Sequence, residues 1–133
     1  MLRRSKEVEI KAEKEAIKLI EGKFGWKFKP PVVHKRYDLK FEDSEGNEKY
    51  VEVKGRIVKS KGEFTNTFVD ESEWKFAREN KDKHFFIFIE LDKNSKLRDY
   101  KILKVEDFTE TNDKKVEYRF KKRNDVQLYW KWK

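Results

Sequence analysis
The stretch Tyr37-Asp38-Leu39-Lys40-Phe41-Glu42-Asp43-Ser44-Glu45-Gly46-Asn47-Glu48-Lys49-Tyr50-Val51-Glu52-Val53-Lys54-Gly55-Arg56 decides how this chain is read. Two alternating runs flank a polar, glycine-containing loop, the pattern of a β-hairpin. Tyr37, Leu39 and Phe41 take one face of the first run, with Asp38, Lys40 and Glu42 on the other. In the second run Val51 and Val53 oppose Tyr50, Glu52 and Lys54. A three-residue loop of Ser44, Glu45 and a left-handed Gly46 pairs residues whose numbers sum to 90, which sets Asp38 opposite Glu52.

Directly opposed side chains share a face with Cβ atoms about 5 Å apart, so two carboxylates converge and Lys54 lies two positions along. Like charges that close repel unless a cation separates them. An oxygen-rich, thiol-free pair suits Mg²⁺ or Mn²⁺, and an adjacent lysine suits a phosphate or a water. The alternative is an exposed hairpin with solvated charges on its wet face.

Composition narrows the classes. The 133 residues are read as one domain, 1–133. Although 45% of residues are charged, 11 Phe, 5 Tyr and 4 Trp fall in periodic runs, so a core can form and disorder is excluded. A net charge of +8 favours an anionic partner, nucleic acid first among them. With no cysteine there is no disulfide, zinc-thiolate site or thiol nucleophile. Met1-Leu2-Arg3-Arg4-Ser5 leads into a charged helix without an apolar leader, and no run is long enough to span a membrane; a soluble, cytoplasmic protein is expected. Abundant Lys and Glu with one Met lean toward a thermophile.

Residues 5–23 read as an amphipathic helix stopping at Gly22, with Ala12, Ala16, Ile17, Ile20 and Leu19 in its apolar arc. Glu9 and Glu13 interrupt that arc. A buried, unpaired Glu13 would cost several kcal/mol, so it either faces a cation or reaches out to a lysine. Residues 24–29 suggest a short strand ended by Pro30-Pro31, and Gly55 is expected to break the second hairpin strand. Residues 59–63 read as a loop and 64–68 as a strand. Asp70 and Glu73 form a capping box opening a helix that runs to about Lys81, burying Trp74 and Ala77 and exposing Lys75 and Arg78, which suit either a phosphate or plain solvent.

His84 to Leu91 is a continuous apolar run, best read as a central strand covered on both faces. His34 and His84 lack partners at metal-ligand spacing. Strands near 99–105, 115–121 and 126–132 follow, and their aromatic stripe of Val116, Tyr118, Phe120, Val126, Leu128, Trp130 and Trp132 fits either a base-stacking platform or core.

The order helix with Glu13, strand with Asp38, hairpin, strand with Glu52-Val53-Lys54, strand, capped helix, buried strand is an αβββαβ arrangement. It resembles the PD-(D/E)xK nuclease superfamily over about residues 7–91, with a C-terminal β extension over about 98–133. The nearest look-alikes are archaeal Holliday-junction resolvases, Mrr-type restriction enzymes and helicase-attached nuclease-like domains, the last sharing segments similar to Tyr37-Asp38, Val51-Glu52-Val53-Lys54-Gly55 and Glu73-Trp74-Lys75-Phe76-Ala77. Tyr37 replaces the usual proline before the aspartate. The resemblance implies a restriction-endonuclease-like α/β fold with a mixed central sheet flanked by helices. It implies Mg²⁺ or Mn²⁺ on Asp38, Glu52 and the Val53 carbonyl, with Glu13 assisting and Lys54 acting on the attacking water. Lys40, Arg56, Lys59, Lys61, Lys75 and Arg78 would then hold a DNA backbone, and a homodimer would suit cutting of both strands. Two alternatives stay open: a catalytically inactive nucleic-acid-binding module of the same fold, and a basic protein-interaction domain.

Overall fold
The computed structural model describes residues 2–30, 37–108, 117–120 and 125–130. The hairpin forms in the expected register: β2 (Leu39–Glu42) pairs antiparallel with β3 (Glu48–Ile57) through Leu39↔Val51, Lys40↔Tyr50, Phe41↔Lys49 and Glu42↔Glu48. Gly46, at φ 83°, supplies the left-handed turn residue. Its N–H donates to the Asp43 carbonyl at 3.0 Å. The Asp43 carboxylate accepts the Asn47 and Glu45 N–H groups, each at 2.9 Å. Those bonds, Asn47's first, hold its pKa below the ordinary value.

Two glycines act differently from the sequence expectation. β3 does not break at Gly55; it runs on to Ile57, with Gly55 in register with Ile89. The glycine is needed for proximity instead. A Cβ built on Gly55 would lie 2.5 Å from the Ala12 Cβ, so it lets helix α1 (Leu2–Phe24) lie directly on the strand. Nor does α1 stop at Gly22, where a Cβ would meet nothing within 4 Å. It stops at Gly25, which takes φ 72° and donates its N–H to the Glu21 carbonyl at 2.9 Å. A mid-helix glycine costs only about 1 kcal/mol, whereas a left-handed residue ends the helix outright.

β1 (Lys27–Lys29), β2, β3, β5 (His84–Leu91) and β6 (Leu97–Leu103) form one mixed sheet in the order β1-β2-β3-β5-β6, with β5 parallel to β3 and the other pairs antiparallel. Each face buries a different kind of core. Ala12, Ala16 and Ile20 of α1 pack on Val51, Val53, Ile87, Ile89 and Leu91. The opposite face is aromatic, built on Phe86, Phe88, Trp74 and Phe108. Each such side chain contributes roughly 1.5–3 kcal/mol by leaving water.

The strand expected over 64–68 lies slightly later, as β4 (Asn66–Asp70), and it leaves the main sheet. It pairs instead with β8 (Asp125–Tyr129), which pairs with β7 (Glu117–Phe120), giving a three-stranded second sheet over the aromatic face. Val126, Leu128 and Trp130 are buried there, with Trp130 stacked on Phe88 at 3.8 Å between ring centroids. That part of the aromatic stripe is therefore core. Val116 and Trp132 lie outside the described residues, as does His34. Helix α2 (Glu71–Glu79) opens on the Asp70 capping box, ends two residues before Lys81, and buries Trp74 and Ala77; the short α3 (Val105–Phe108) closes the aromatic side. No helix among the described residues is long and apolar enough to cross a membrane.

Candidate active site
A mismatch in strand length creates the site. β2 pairs with β3 only as far as Val51, whereas β5 accompanies β3 to Ile57, so among the described residues the β2-side flank of 52–57 has no strand against it. Tyr50 donates its N–H toward β5, to the Lys83 carbonyl at 2.8 Å. By strand alternation, the backbones of Val51, Val53 and Gly55 therefore face the β2 side, which is paired at Val51 and uncovered at Val53 and Gly55. Asp38 stands at the step. Its N–H donates to the Val51 carbonyl at 2.9 Å, and its Oδ2 accepts the Val53 N–H at 2.8 Å. The aspartate is thus shifted off the regular ladder rather than paired as a strand residue, and its carboxylate turns onto the flank. A strand residue's N–H and C=O point the same way, so the Val53 carbonyl faces that flank too.

Glu52 sits beside this step, buried to 2% exposure. Its Oε2 lies 3.5 Å from the Lys54 Nζ, while Oε1 has no hydrogen-bond partner among the described residues. Burial pushes the Glu52 pKa well above the ordinary glutamate value; Asp38 and then Glu73 add to the rise, and Lys54 opposes it. A cleft of about 490 Å³ opens here, lined by Asp38, Glu52, Val53, Lys54, Gly55, Glu73 and, from α1, Lys6, Val8, Glu9 and Ala12. Among the described residues no group of three His, Asp or Glu side chains is gathered closely enough to form a ready metal cage. The donor set is nonetheless a fit for a hard divalent cation: all-oxygen, with an orphaned buried glutamate oxygen whose charged form a cation would favour.

The chain matches the family model described as Protein NO VEIN, C-terminal, over residues 4–103. It belongs to that family. No curated protein and no solved structure matches it. The family stretch spans α1 to β6 and holds every residue of the cleft, whereas β7 and β8 lie beyond it.

Within the family stretch the structure brings Asp38, Glu52, Val53 and Lys54 together at the cleft. Glu13 is half-buried and does not line it; Glu9, one turn earlier on α1, does, together with Lys6. The helical wheel marks both glutamates as intruders in the apolar arc, but the close approach at Gly55 selects the earlier one. Glu73 does line the cleft while its Oε1 also accepts the Asp70 N–H at 3.0 Å. The Glu73-Trp74 segment was the signal for it, masked by its plain reading as a helix cap.

None of the six expected phosphate-binding residues lines the cleft. Lys40 is 3.4 Å from Glu48, and the Arg56 guanidinium lies over Phe64 at 4.7 Å. Lys59, Lys61, Lys75 and Arg78 are exposed elsewhere. His84 is buried against Phe86, and burial lowers its pKa to about 4, so it stays neutral and takes no part in the cleft.

Proposed function
We propose that this member of the NO VEIN C-terminal family is a metal-dependent endonuclease that hydrolyses phosphodiester bonds in DNA, a variant of the PD-(D/E)xK design. One observation carries the reading: Asp38, Glu52 and Lys54 meet on an uncovered strand flank, with a buried Glu52 oxygen left without a partner among the described residues. Asp38, Glu52 and the Val53 carbonyl would hold Mg²⁺ or Mn²⁺. When bound, such an ion supplies positive charge that acidifies water and offsets charge on the scissile phosphate. The Lys54 ammonium donates to the attacking water or to a phosphoryl oxygen, exchanging its Glu52 contact for the substrate. Lys6 offers a second cation on the α1 wall, and Glu9 and Glu73 raise the negative potential that draws the metal in.

Purified chain mixed with supercoiled, branched and single-stranded DNA tests this directly. Cutting with Mg²⁺, none with EDTA, and loss in Glu52→Ala and Lys54→Ala are expected. Metal binding has its own readout. At about a hundredfold excess over Kd, Mn²⁺ should stabilise the protein by about 2.7 kcal/mol, and Glu52→Gln should remove that gain. A catalytically silent module of the same fold is favoured by the Lys54–Glu52 contact at 3.5 Å, which gives Glu52 a cationic partner without a metal. Salt-sensitive DNA binding that is indifferent to Glu52→Ala, without cleavage of any substrate, would select it.

A further inference from the structure
At the other end of α1 the chain builds a second surface feature. Gly25, held at φ 72°, reverses the backbone so that Trp26 stacks back on Phe24, with ring centroids 4.5 Å apart and planes at 18°. Phe85, the second residue of β5, closes the group at 5.3 Å from Trp26 and 6.2 Å from Phe24. Unlike the buried Trp74, these rings reach water: Phe24 is 37% exposed, and Trp26 and Phe85 are partly so. Each ring has its own lysine, with Nζ 5.9 Å from Phe24 (Lys23), 5.3 Å from Trp26 (Lys49) and 5.4 Å from Phe85 (Lys104). Lys49 has Asp43 at 4.0 Å, and Lys23 and Lys104 make no ion pair among the described residues.

We propose that Phe24, Trp26 and Phe85, with Lys23, Lys49 and Lys104, dock single-stranded nucleic acid by base stacking and phosphate pairing. The charge pattern decides the occupant. An aromatic cage for a cationic ligand would be opposed by three ammonium groups, whereas a strand offers flat π-faces to the rings and anionic phosphates to the lysines. A duplex keeps its bases stacked inside, so exposed rings select the single strand. The platform is separate from the cleft. Ala12 lines the cleft and Phe24 lies twelve residues on along the same helix. That is about 18 Å of helix, or about five nucleotide steps at 3.4 Å. Stacking needs no divalent metal, so the platform stands whether or not the nuclease reading does.

Fluorescence anisotropy of the full chain in EDTA at low salt tests it, using labelled oligo(dT) of about twelve nucleotides, an abasic strand of equal charge and a duplex. Oligo(dT) is expected to bind on the order of tenfold more tightly than the abasic strand. Trp26→Ala and Phe24→Ser should each erase most of that preference while leaving abasic binding unchanged. Lys104→Glu, a surface change that leaves the rings in place, should weaken both strands and shallow the salt dependence by about one counterion. Equal affinity for oligo(dT) and the abasic strand would overturn the proposal. So would unchanged binding in both Phe24→Ser and Lys104→Glu, or a concentration-dependent dimer that Phe24→Ser dissolves without any strand binding.

Discussion

Two buried glutamates on the same face of neighbouring strands show how this sheet separates support from chemistry. Glu90, at 0% exposure, accepts the Gly62 N–H on Oε1 and the Phe64 N–H on Oε2, both at 2.8 Å, and so pins the 62–64 segment to the core. Glu52, at 2%, has one oxygen 3.5 Å from Lys54 and the other without a partner among the described residues. A side chain kept for stability is expected to have its hydrogen bonds made. A buried side chain that forgoes them beside a cleft retains free binding capacity. The two sites therefore differ in what their removal should do.

The largest expected effect is at Glu90. Glu90→Ala strands the buried Phe64 N–H and the part-buried Gly62 N–H and opens a void, a loss of about 3–5 kcal/mol in urea unfolding, with no change in any Mn²⁺-dependent stabilisation. Glu52→Gln should do the reverse, leaving stability in EDTA at pH 8 equal to or above the parent while abolishing the stabilisation by added Mn²⁺. Equal destabilisation by both variants would break the contrast and make Glu52 another structural residue.

His84 sharpens it next. It faces Tyr50 across the β3–β5 pair, one alternate position from Glu52, and its Nδ1 also lacks a partner among the described residues. Burial acts on the two groups with opposite sign, stripping the proton from His84 and keeping it on Glu52. For His84 the folded value of about 4 lies below the ordinary 6.5. Between those values the unfolded chain binds the extra proton, so stability is full above about pH 6.5 and falls as the pH drops toward 4, by on the order of 3 kcal/mol. His84→Phe should flatten this acid limb in a pH series of urea melts. An unchanged limb would mean that other groups produce it.

How much of this was legible beforehand follows the range of the forces involved. The hairpin register, the Asp70–Glu73 cap and the buried β5 run are local patterns, so Asp38, Glu52 and Lys54 could be grouped from spacing alone. What spacing cannot express is which distant element lies on a given strand. Glu9 rather than Glu13 reaches the cleft because α1 crosses β3 at Gly55, a close approach of the helix at Ala12 to a strand residue more than forty positions away in sequence. The transfer of β4 to the second sheet likewise depends on β8, more than fifty residues later. Spacing likewise could not say which basic residues reach the cleft: none of Lys40, Arg56, Lys59, Lys61, Lys75 and Arg78 lines it, whereas Lys6 does.

The crossing at Gly55 gives the third prediction. Gly55→Ala drives a Cβ to 2.5 Å from the Ala12 Cβ, both on rigid elements, so α1 must lift from β3 at a cost of about 1–3 kcal/mol. Glu9 and Lys6 would move with the helix, and cleavage should fall further than the stability loss alone explains. The double variant Gly55→Ala/Ala12→Gly should restore both. Failure of that rescue would place the defect elsewhere.

The smallest effect is expected at Glu73, which serves both sides of the comparison: it caps α2 through the Asp70 N–H and raises the Glu52 pKa from across the cleft. Glutamine also completes a capping box, so Glu73→Gln should change stability by no more than about 0.5 kcal/mol near pH 5. Its signature lies in the slope. Because Glu52 holds its proton in the folded state above the pH at which the unfolded chain releases it, metal-free stability falls as the pH rises past the ordinary glutamate value of 4.5, by at most about 1.4 kcal/mol per pH unit. Removing the Glu73 charge relieves part of that fall, so variant and parent should diverge toward alkaline pH, with the variant the more stable. Glu73→Ala separates the two duties: it should show the same relief in slope together with the cost of a lost cap, about 1 kcal/mol at every pH. Parallel pH curves for parent and Glu73→Gln would mean that Glu73 only caps its helix, leaving Asp38 as the one acidic neighbour acting on Glu52.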